Sequence, residues 1–400
     1  MSNMTNEIRL GLNSICNLCD KLGNPQDKLR FIHITGTNGK GSTGAFIATI
    51  LKEAGYRVGH YSSPAVFSRE EIIKVNGRSI SKRNYDNIME NINALSVELS
   101  EEGMDAPTEF EKETALAFEY FLNNDCDLVV LEVGMGGATD ATNIIKNTLV
   151  SVFTPISVDH VDYLGKTIED IAKVKAGIIK PNGAVVSAPQ EDAVIKILCA
   201  EAKKLNANEP MVVIPKSFKR GLLGLSGIAQ NINASVAVAT IKELCKLDYS
   251  ISEKAIENGL KNTSLPGRFE KISSRPIIII DGGHNLSAAI SIKENLLKLY
   301  PERNVIMICG MLVNKDHNAY LSELAPLAGS ILTVSTSGSR AYSAEDLARD
   351  AMQFSSKVSA IGGVEEAVDI ARMMADTKDI ILICGSFTIL KPALKYIEAH

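Results

Sequence analysis

The chain has no tryptophan, no low-complexity segment and no internal repeat in its 400 residues, which argues against a stacked-repeat architecture. It has no basic excess either: 42 Lys and Arg stand against 47 Asp and Glu, a net charge of −5. That balance argues against nucleic acid or a membrane surface as partner, and any anionic substrate then needs a local basic pocket. No apolar run is long enough to span a bilayer, and the opening MSNMTNEIRLGLNSIC lacks the basic-then-apolar form of a secretion signal. A cytoplasmic protein is the expectation. The seven cysteines are odd in number and scattered in apolar runs, as reduced core thiols are. Cys16-x-x-Cys19 has no second pair and reads as packing in an N-terminal helix. What remains, 45% hydrophobic and 22% charged, is ordinary for a globular chain with room for two or three domains.

One glycine-rich turn organises the sequence: Ile34-Thr35-Gly36-Thr37-Asn38-Gly39-Lys40-Gly41-Ser42. Leu29 to Ile34 reads as a buried strand. Phe46, Ile47, Ile50, Leu51 and Ala54 recur at helical spacing from Thr43 onward, with Gly55 as C-cap. Strand, glycine turn and helix point backbone N–H groups and the positive helix end at a polyphosphate. Lys40 would reach the β and γ phosphates and the Ser42 hydroxyl would ligate Mg²⁺. The expectation is an ATP site.

Strands alternate with helices along the rest of the chain. Tyr56–Ser62, Asp127–Glu132, Leu149–Pro155 and Ala184–Ser187 read as strands, and residues 84–100, 110–123 and 168–177 as helices. Two more helices, 228–245 and 252–261, lead to a linker at Leu265-Pro266-Gly267-Arg268. Beyond it strands near 277–281, 304–309, 330–335 and 380–384 restart the alternation. The predicted fold is α/β: a P-loop NTPase-type domain with a mostly parallel sheet over 1–265, then a smaller Rossmann-like α/β domain over 266–400. Two such domains on one hinge make a cleft that can close on substrates. Ligands collect at the carboxyl ends of parallel strands, where Lys40, Ser63, Glu132 and His160 are all expected.

On chemistry alone, Glu132 can bind Mg²⁺ directly or through water, or be a surface acid at a strand end. His160, after Asp159, reads equally as functional or structural. Lys175 near a helix end has a sufficient explanation in dipole electrostatics. Asp281-Gly282-Gly283-His284-Asn285 puts an acid, an imidazole and an amide on one tight turn.

Taken together these residues resemble the folylpolyglutamate synthase/dihydrofolate synthase branch of the Mur ligase superfamily, ATP-dependent acid–amine ligases. The resemblance runs through Gly36–Ser42, Pro107-Thr108 with Phe110-Glu111, Glu132–Gly137 and Asp140–Asn143. It continues through Asp159-His160, Leu164-Gly165, Lys175–Pro181, Pro266–Glu270, Asp281–Asn285 and Gly385-Ser386. It implies that Ser42, Ser63, Glu132 and His160 hold two Mg²⁺ ions and that Lys175 is carbamylated beside the second. It also implies that Arg268 and Asp281 hold the nucleotide, with Gln230 and Asn233 on its adenine side, and that His284 lies at the phosphate and amino-acid end. Thr108, Phe110, Asp140 and Ser386 fall in the substrate-binding stretches, where a phenylalanine face can stack on a pterin ring. The partners so implied are small molecules, a folate or dihydropteroate with L-glutamate, and the chain is expected to be a monomer. The reaction implied is attack of a carboxylate on the ATP γ-phosphate, followed by attack of the glutamate amine on the resulting acyl phosphate.

Departures from the family pattern cluster on the acid-substrate side. Ile72 and Ala138 each stand where the family has an arginine, Val174 where it has glutamate, Ala229 where it has histidine and Asn314 where it has aspartate. Each missing arginine removes a fork-like carboxylate partner. The lost arginines favour one alternative, a ligase of the same fold acting on a non-folate acid; a P-loop ATPase switch and a nonenzymatic nucleotide-binding module are the alternatives of other classes.

Overall fold

The structure, a computed structural model, describes residues 11–400 apart from Val66, His160, Arg220 and Ser339. The chain forms two compact units, one comprising the residues up to Gly224 with Asn231–Thr263, the other Leu225–Gln230 with Ser264–His400.

The first unit is built on eight strands: β1 (Phe31–Thr35), β2 (Val58–Tyr61), β3 (Ile73–Val75), β4 (Arg78–Ser79), β5 (Leu128–Glu132), β6 (Thr148–Phe153), β7 (Ala184–Ser187) and β8 (Met211–Val212). Their order is β4-β3-β2-β5-β1-β6-β7-β8, and the six strands from β2 to β8 run parallel. Near-continuous apolar runs make this possible, since a strand covered on both faces has no solvent side to mark with polar residues. β1 lies between β5 and β6 and is buried along its whole length. One face carries helices Asn13–Lys21, Lys82–Glu101 and Glu109–Asn123 around a core that includes Phe31, Tyr61, Phe118 and Phe121, with the Phe31 and Phe118 rings edge-to-face at 5.7 Å. A second core of Phe153, Ile171, Ile178, Val185 and Leu198 lies under helices Ile168–Ala176 and Asp192–Lys204. No helix among the described residues is long and apolar enough to cross a membrane.

The second unit has six strands: β9 (Glu270–Ser274), β10 (Ile277–Asp281), β11 (Val305–Cys309), β12 (Ser330–Val334), β13 (Val358–Ile361) and β14 (Ile380–Cys384). Their order is β13-β12-β11-β14-β10-β9, all parallel except β9. The architecture is therefore α/β with two mostly parallel sheets, as the alternation predicts.

The β3–β4 hairpin, β8, β9 and β13 carry no strand pattern that the alternation alone marks. β9 and β13 are half-exposed edges without a buried apolar run. The hairpin's mark was the Asn76-Gly77 pair, a two-residue turn signal. Helix Lys40–Glu53 begins three residues before its apolar pattern does, because the polar and small residues of its first turn carry no hydrophobic period.

Two histidines sit inside the first sheet. His33 in β1 and His60 in β2 are buried, and burial, with smaller contributions from the Lys180 and Lys74 charges respectively, pulls each down from 6.5 to about 3. Below pH 6.5 the unfolded chain takes up protons at both positions while the folded chain does not, so their contribution to stability is present above 6.5 and is lost as pH falls toward 3. Each histidine should cost roughly 2 kcal/mol between pH 7 and pH 5. Denaturant unfolding of the first unit at the two pH values should therefore show a smaller loss for His60→Gln than for the parent chain. Equal losses would contradict the burial of a neutral imidazole at His60.

Candidate active site

β1 ends at Thr35 and the next helix starts at Lys40, so Gly36–Gly39 must reverse the chain within a few ångströms of neighbouring segments. Gly39 caps the helix in the left-handed region, φ 87°, where a side chain is strained. A side chain at Gly36 would collide with the Thr154 hydroxyl, and one at Gly39 with the Asn233 carboxamide. The turn is thus held between the segment after β6 and helix Ala229–Lys246. The Thr37 and Asn38 amides donate to the Pro155 carbonyl at 2.9 and 3.4 Å. The Thr37 hydroxyl donates to the Ser157 carbonyl at 2.8 Å and accepts from the Ser157 amide at 2.9 Å. With those two amides turned onto Pro155, the positive end of the helix at Lys40, Gly41 and Ser42 is what faces an anion.

Two ammonium groups meet at this turn. Lys40 Nζ donates to the Gly36 carbonyl at 3.2 Å and to the Thr37 carbonyl at 3.4 Å, while Lys175 Nζ donates to the same Gly36 oxygen at 2.9 Å. Lys175 is only 4% exposed. Burial first, and the Lys40 charge second, lower it from 10.5 to about 7, against the pull of Asp159 and Asp140. A small cavity opens here, lined by Gly36, Thr37, Lys40, Gly134–Gly136, Asp159, Leu164 and Lys175.

Oxygen-bearing side chains stand at the ends of neighbouring elements. Glu132 ends β5 opposite Ile34 of β1 and is 3% exposed; Ser42 is buried in the first helical turn, and Ser63 follows β2. Hydroxyl and carboxylate oxygens at the ends of adjacent parallel strands are the donor set of a hard divalent cation, so these residues fit Mg²⁺. Among the described residues no cluster of three His, Cys, Asp or Glu could hold a metal. His160 lies outside the described residues.

The loop after Glu132 is fastened by a buried relay that the sequence reading missed. Asp140 accepts from the Met135 amide at 2.9 Å, the Thr142 amide at 3.0 Å and the Thr142 hydroxyl at 2.6 Å. Because the only Thr142 hydroxyl proton is directed to Asp140, His33 Nε2, 2.9 Å away, must be the donor in that contact. Thr35 adds a 2.6 Å bond to the Gly136 carbonyl. The signal was a histidine in a mostly apolar strand, three positions before Gly36. Asp140 therefore shapes the Gly134–Gly137 loop. Thr108 is spent on shape as well: its hydroxyl and the Glu111 carboxylate form a reciprocal capping box at the start of helix Glu109–Asn123. The half-buried Phe110 ring lies against Gly134 and, at 6.3 Å, against the Tyr61 ring. Of the departures from the family pattern, Ile72 is buried in the core and Ala138 packs against Gly177, its amide donating to the Val174 carbonyl at 2.9 Å.

In the second unit Asp281 ends β10 and closes two turns. One carboxylate oxygen accepts from the Phe269 amide at 2.8 Å, the other from the Gly283 amide at 2.7 Å. Burial raises its pKa, and the Arg268 charge opposes that rise. The Arg268 guanidinium lies 4.7 Å from the centre of the Phe387 ring. His284 is half-buried on the Gly282–Asn285 turn, and Asn285 caps helix Leu286–Leu299. Ser386 is a buried N-cap of helix Phe387–Ala399. Gln230 is buried near the start of its helix, its amide donating to the Gly227 carbonyl at 3.2 Å.

Comparison with known proteins adds to this geometry. The Mur ligase middle domain matches residues 34–219, and the Mur ligase glutamate ligase domain matches 267–387. Dihydrofolate synthase/folylpolyglutamate synthase of Bacillus subtilis is 31% identical over 98% of this chain and 96% of its own length. Folylpolyglutamate synthase of Lacticaseibacillus casei is 34% identical over 81% of each. The crystal structure of Mycobacterium tuberculosis folylpolyglutamate synthase with ADP superposes at a TM-score of 0.90, with 30% identity over 98% of this chain and 96% of that one. That of E. coli FolC with DHPP and ADP gives 0.88, with 29% identity over 99% and 95%.

Lys40→Ala removes the charge next to Lys175. It should weaken ATP-analogue binding, measured by calorimetry, by at least tenfold, and should raise the Lys175 pKa, measured by NMR of isotopically methylated lysines. An unchanged Lys175 titration would show that the two ammonium groups do not share the Gly36 carbonyl.

Proposed function

The chain belongs to the folylpolyglutamate synthase/dihydrofolate synthase family of Mur ligases, and from that premise we propose how its residues carry out the family's reaction. It is an ATP-dependent carbon–nitrogen ligase that adds L-glutamate to a folate, to dihydropteroate, or to both. The observation that carries the proposal is the convergence of Lys40 and Lys175 on one carbonyl at the end of β1, with the buried Glu132 ending the adjacent strand.

The first step brings two anions together. The carboxylate of the acid substrate attacks the γ-phosphorus of ATP, the bond to the β,γ-bridging oxygen breaks, and ADP leaves behind an acyl phosphate. Lys40 and the helix end at Gly41-Ser42 offset the charge on the phosphates. Ser42, Ser63 and Glu132, with His160, would hold Mg²⁺, which supplies further charge neutralisation when bound. In the second step the neutral amine of glutamate attacks the acyl carbon, phosphate departs with the bonding pair, and the amine proton is lost to solvent or base. Arg268 and Asp281 act on the nucleotide, Gln230 and Asn233 on its adenine side, and His284 at the phosphate and amino-acid end. Phe110 offers the aromatic face for a flat ring, while Thr108, Asp140 and Ser386 set the backbone of the substrate loops through their caps. Residues 1–265 would serve as the ATP-binding domain and 266–400 as the glutamate-ligase domain. A cytoplasmic monomer is the assembly we propose.

Lys175 near 7 is about half neutral at neutral pH, the form whose nitrogen adds to CO₂ with loss of a proton to give a carbamate. Lys175→Ala should lower turnover by at least tenfold, and short carboxylic acids should restore part of it; full activity without them would rule the carbamate out. Identity of the acid is tested by ADP release with dihydropteroate, tetrahydrofolate and unrelated carboxylic acids, each with L-glutamate. Release with either pterin supports the proposal. Release only with an unrelated acid favours the alternative raised by Ile72 and Ala138, and release with no acid at all favours the ATPase switch.

A further inference from the structure

We propose that Phe387 is a positioning residue whose ring holds the Arg268 guanidinium in place; the inference rests on the reading that Arg268 acts on the nucleotide. Arg268 Cζ stands 4.7 Å from the ring centroid, a cation–π distance. The ring is wedged between two turns as well. A side chain at Gly282 would fall within it, and one at Gly267 would come within 3.3 Å of Cε1. Those turns are tied to each other, since the Gly282 amide donates to the Gly267 carbonyl at 3.0 Å and Asp281 bonds the amides of Phe269 and Gly283. Gly267 donates in addition to Glu270 at 2.8 Å.

The backbone on both sides of Arg268 is therefore fixed, but its side chain carries rotatable bonds that backbone bonds do not restrain. Without the ring, the guanidinium would lose its platform and sample other rotamers, and the ordering would have to occur at the expense of nucleotide binding. Phe387 is the first residue of the last helix, immediately after the buried cap Ser386. One aromatic side chain thus joins the 266–268 turn, the 281–283 turn and the start of that helix.

The experiment is a double-mutant cycle on the full chain with Phe387→Leu and Arg268→Gln, reading KM for ATP, kcat and melting temperature, with Phe387→Tyr as the ring-retaining control. Phe387→Leu should raise KM for ATP about 3- to 10-fold with a smaller change in kcat, Phe387→Tyr should recover most of that loss, and Phe387→Leu should add nothing once Arg268 is Gln. An equal effect of Phe387→Leu in both backgrounds would overturn the proposal, because the ring would then act only on packing. A second measurement reads the contact directly: the Arg268 side-chain N–H resonance should show an upfield ring-current shift that Phe387→Leu removes. No such shift would also overturn it. If the shift is present and Arg268→Gln leaves KM for ATP unchanged, the reading of Arg268 as a nucleotide contact fails and the positioning role falls with it.

Discussion

Two positive charges on one carbonyl oxygen are an arrangement that burial makes costly. Lys40 and Lys175 both reach Gly36, and the low-dielectric surroundings of Lys175 leave it little water to offset the repulsion. Burial first, and the Lys40 charge second, lower the Lys175 pKa to about 7 and so favour its neutral form. With Lys175 neutral or carbamylated, the positive field at the turn rests on Lys40 and on the helix end at Gly41-Ser42. Catalysis of an anion-on-anion reaction requires that kind of preorganised positive field.

Several buried or half-buried polar side chains are spent on holding backbone. Asp140, Thr142 and His33 form a relay that secures the Gly134–Gly137 loop to β1. Thr108 and Glu111 cap one helix, and Ser386 another. Buried polar groups must be satisfied somewhere, and here they are satisfied by holding backbone. The consequence is a division of labour: lysines and strand-end oxygens carry charge, while hydroxyls and Asp140 fix the loops that present it. The second unit repeats the pattern, with Asp281 bonding two turn amides while Arg268 carries the charge.

Two of the departures from the family pattern have a structural setting. Ile72 is part of the core rather than a surface position, so the apolar residue there is accommodated by packing. Ala138 lies directly against Gly177, and its amide bonds the Val174 carbonyl.

The order of strands and helices, the glycine turn, and the places of Lys40 and Ser42 in a first helical turn and of Glu132 at a strand end were legible in the sequence, because hydrophobic period and turn chemistry are local properties of a few neighbouring residues. The edge strands β9 and β13 were not, since an edge needs no apolar run to mark it. Lys175 was legible only through family resemblance, and composition offered no reason to single it out. Its burial, its bond to a carbonyl 139 positions away and its altered basicity exist only once the end of helix Ile168–Ala176 meets the turn after β1. The same holds for His33 with Thr142 and for Arg268 with Phe387: the partners are distant in the chain, and a pKa, a tautomer or a stacked cation is set by what stands within a few ångströms, which only the folded chain decides.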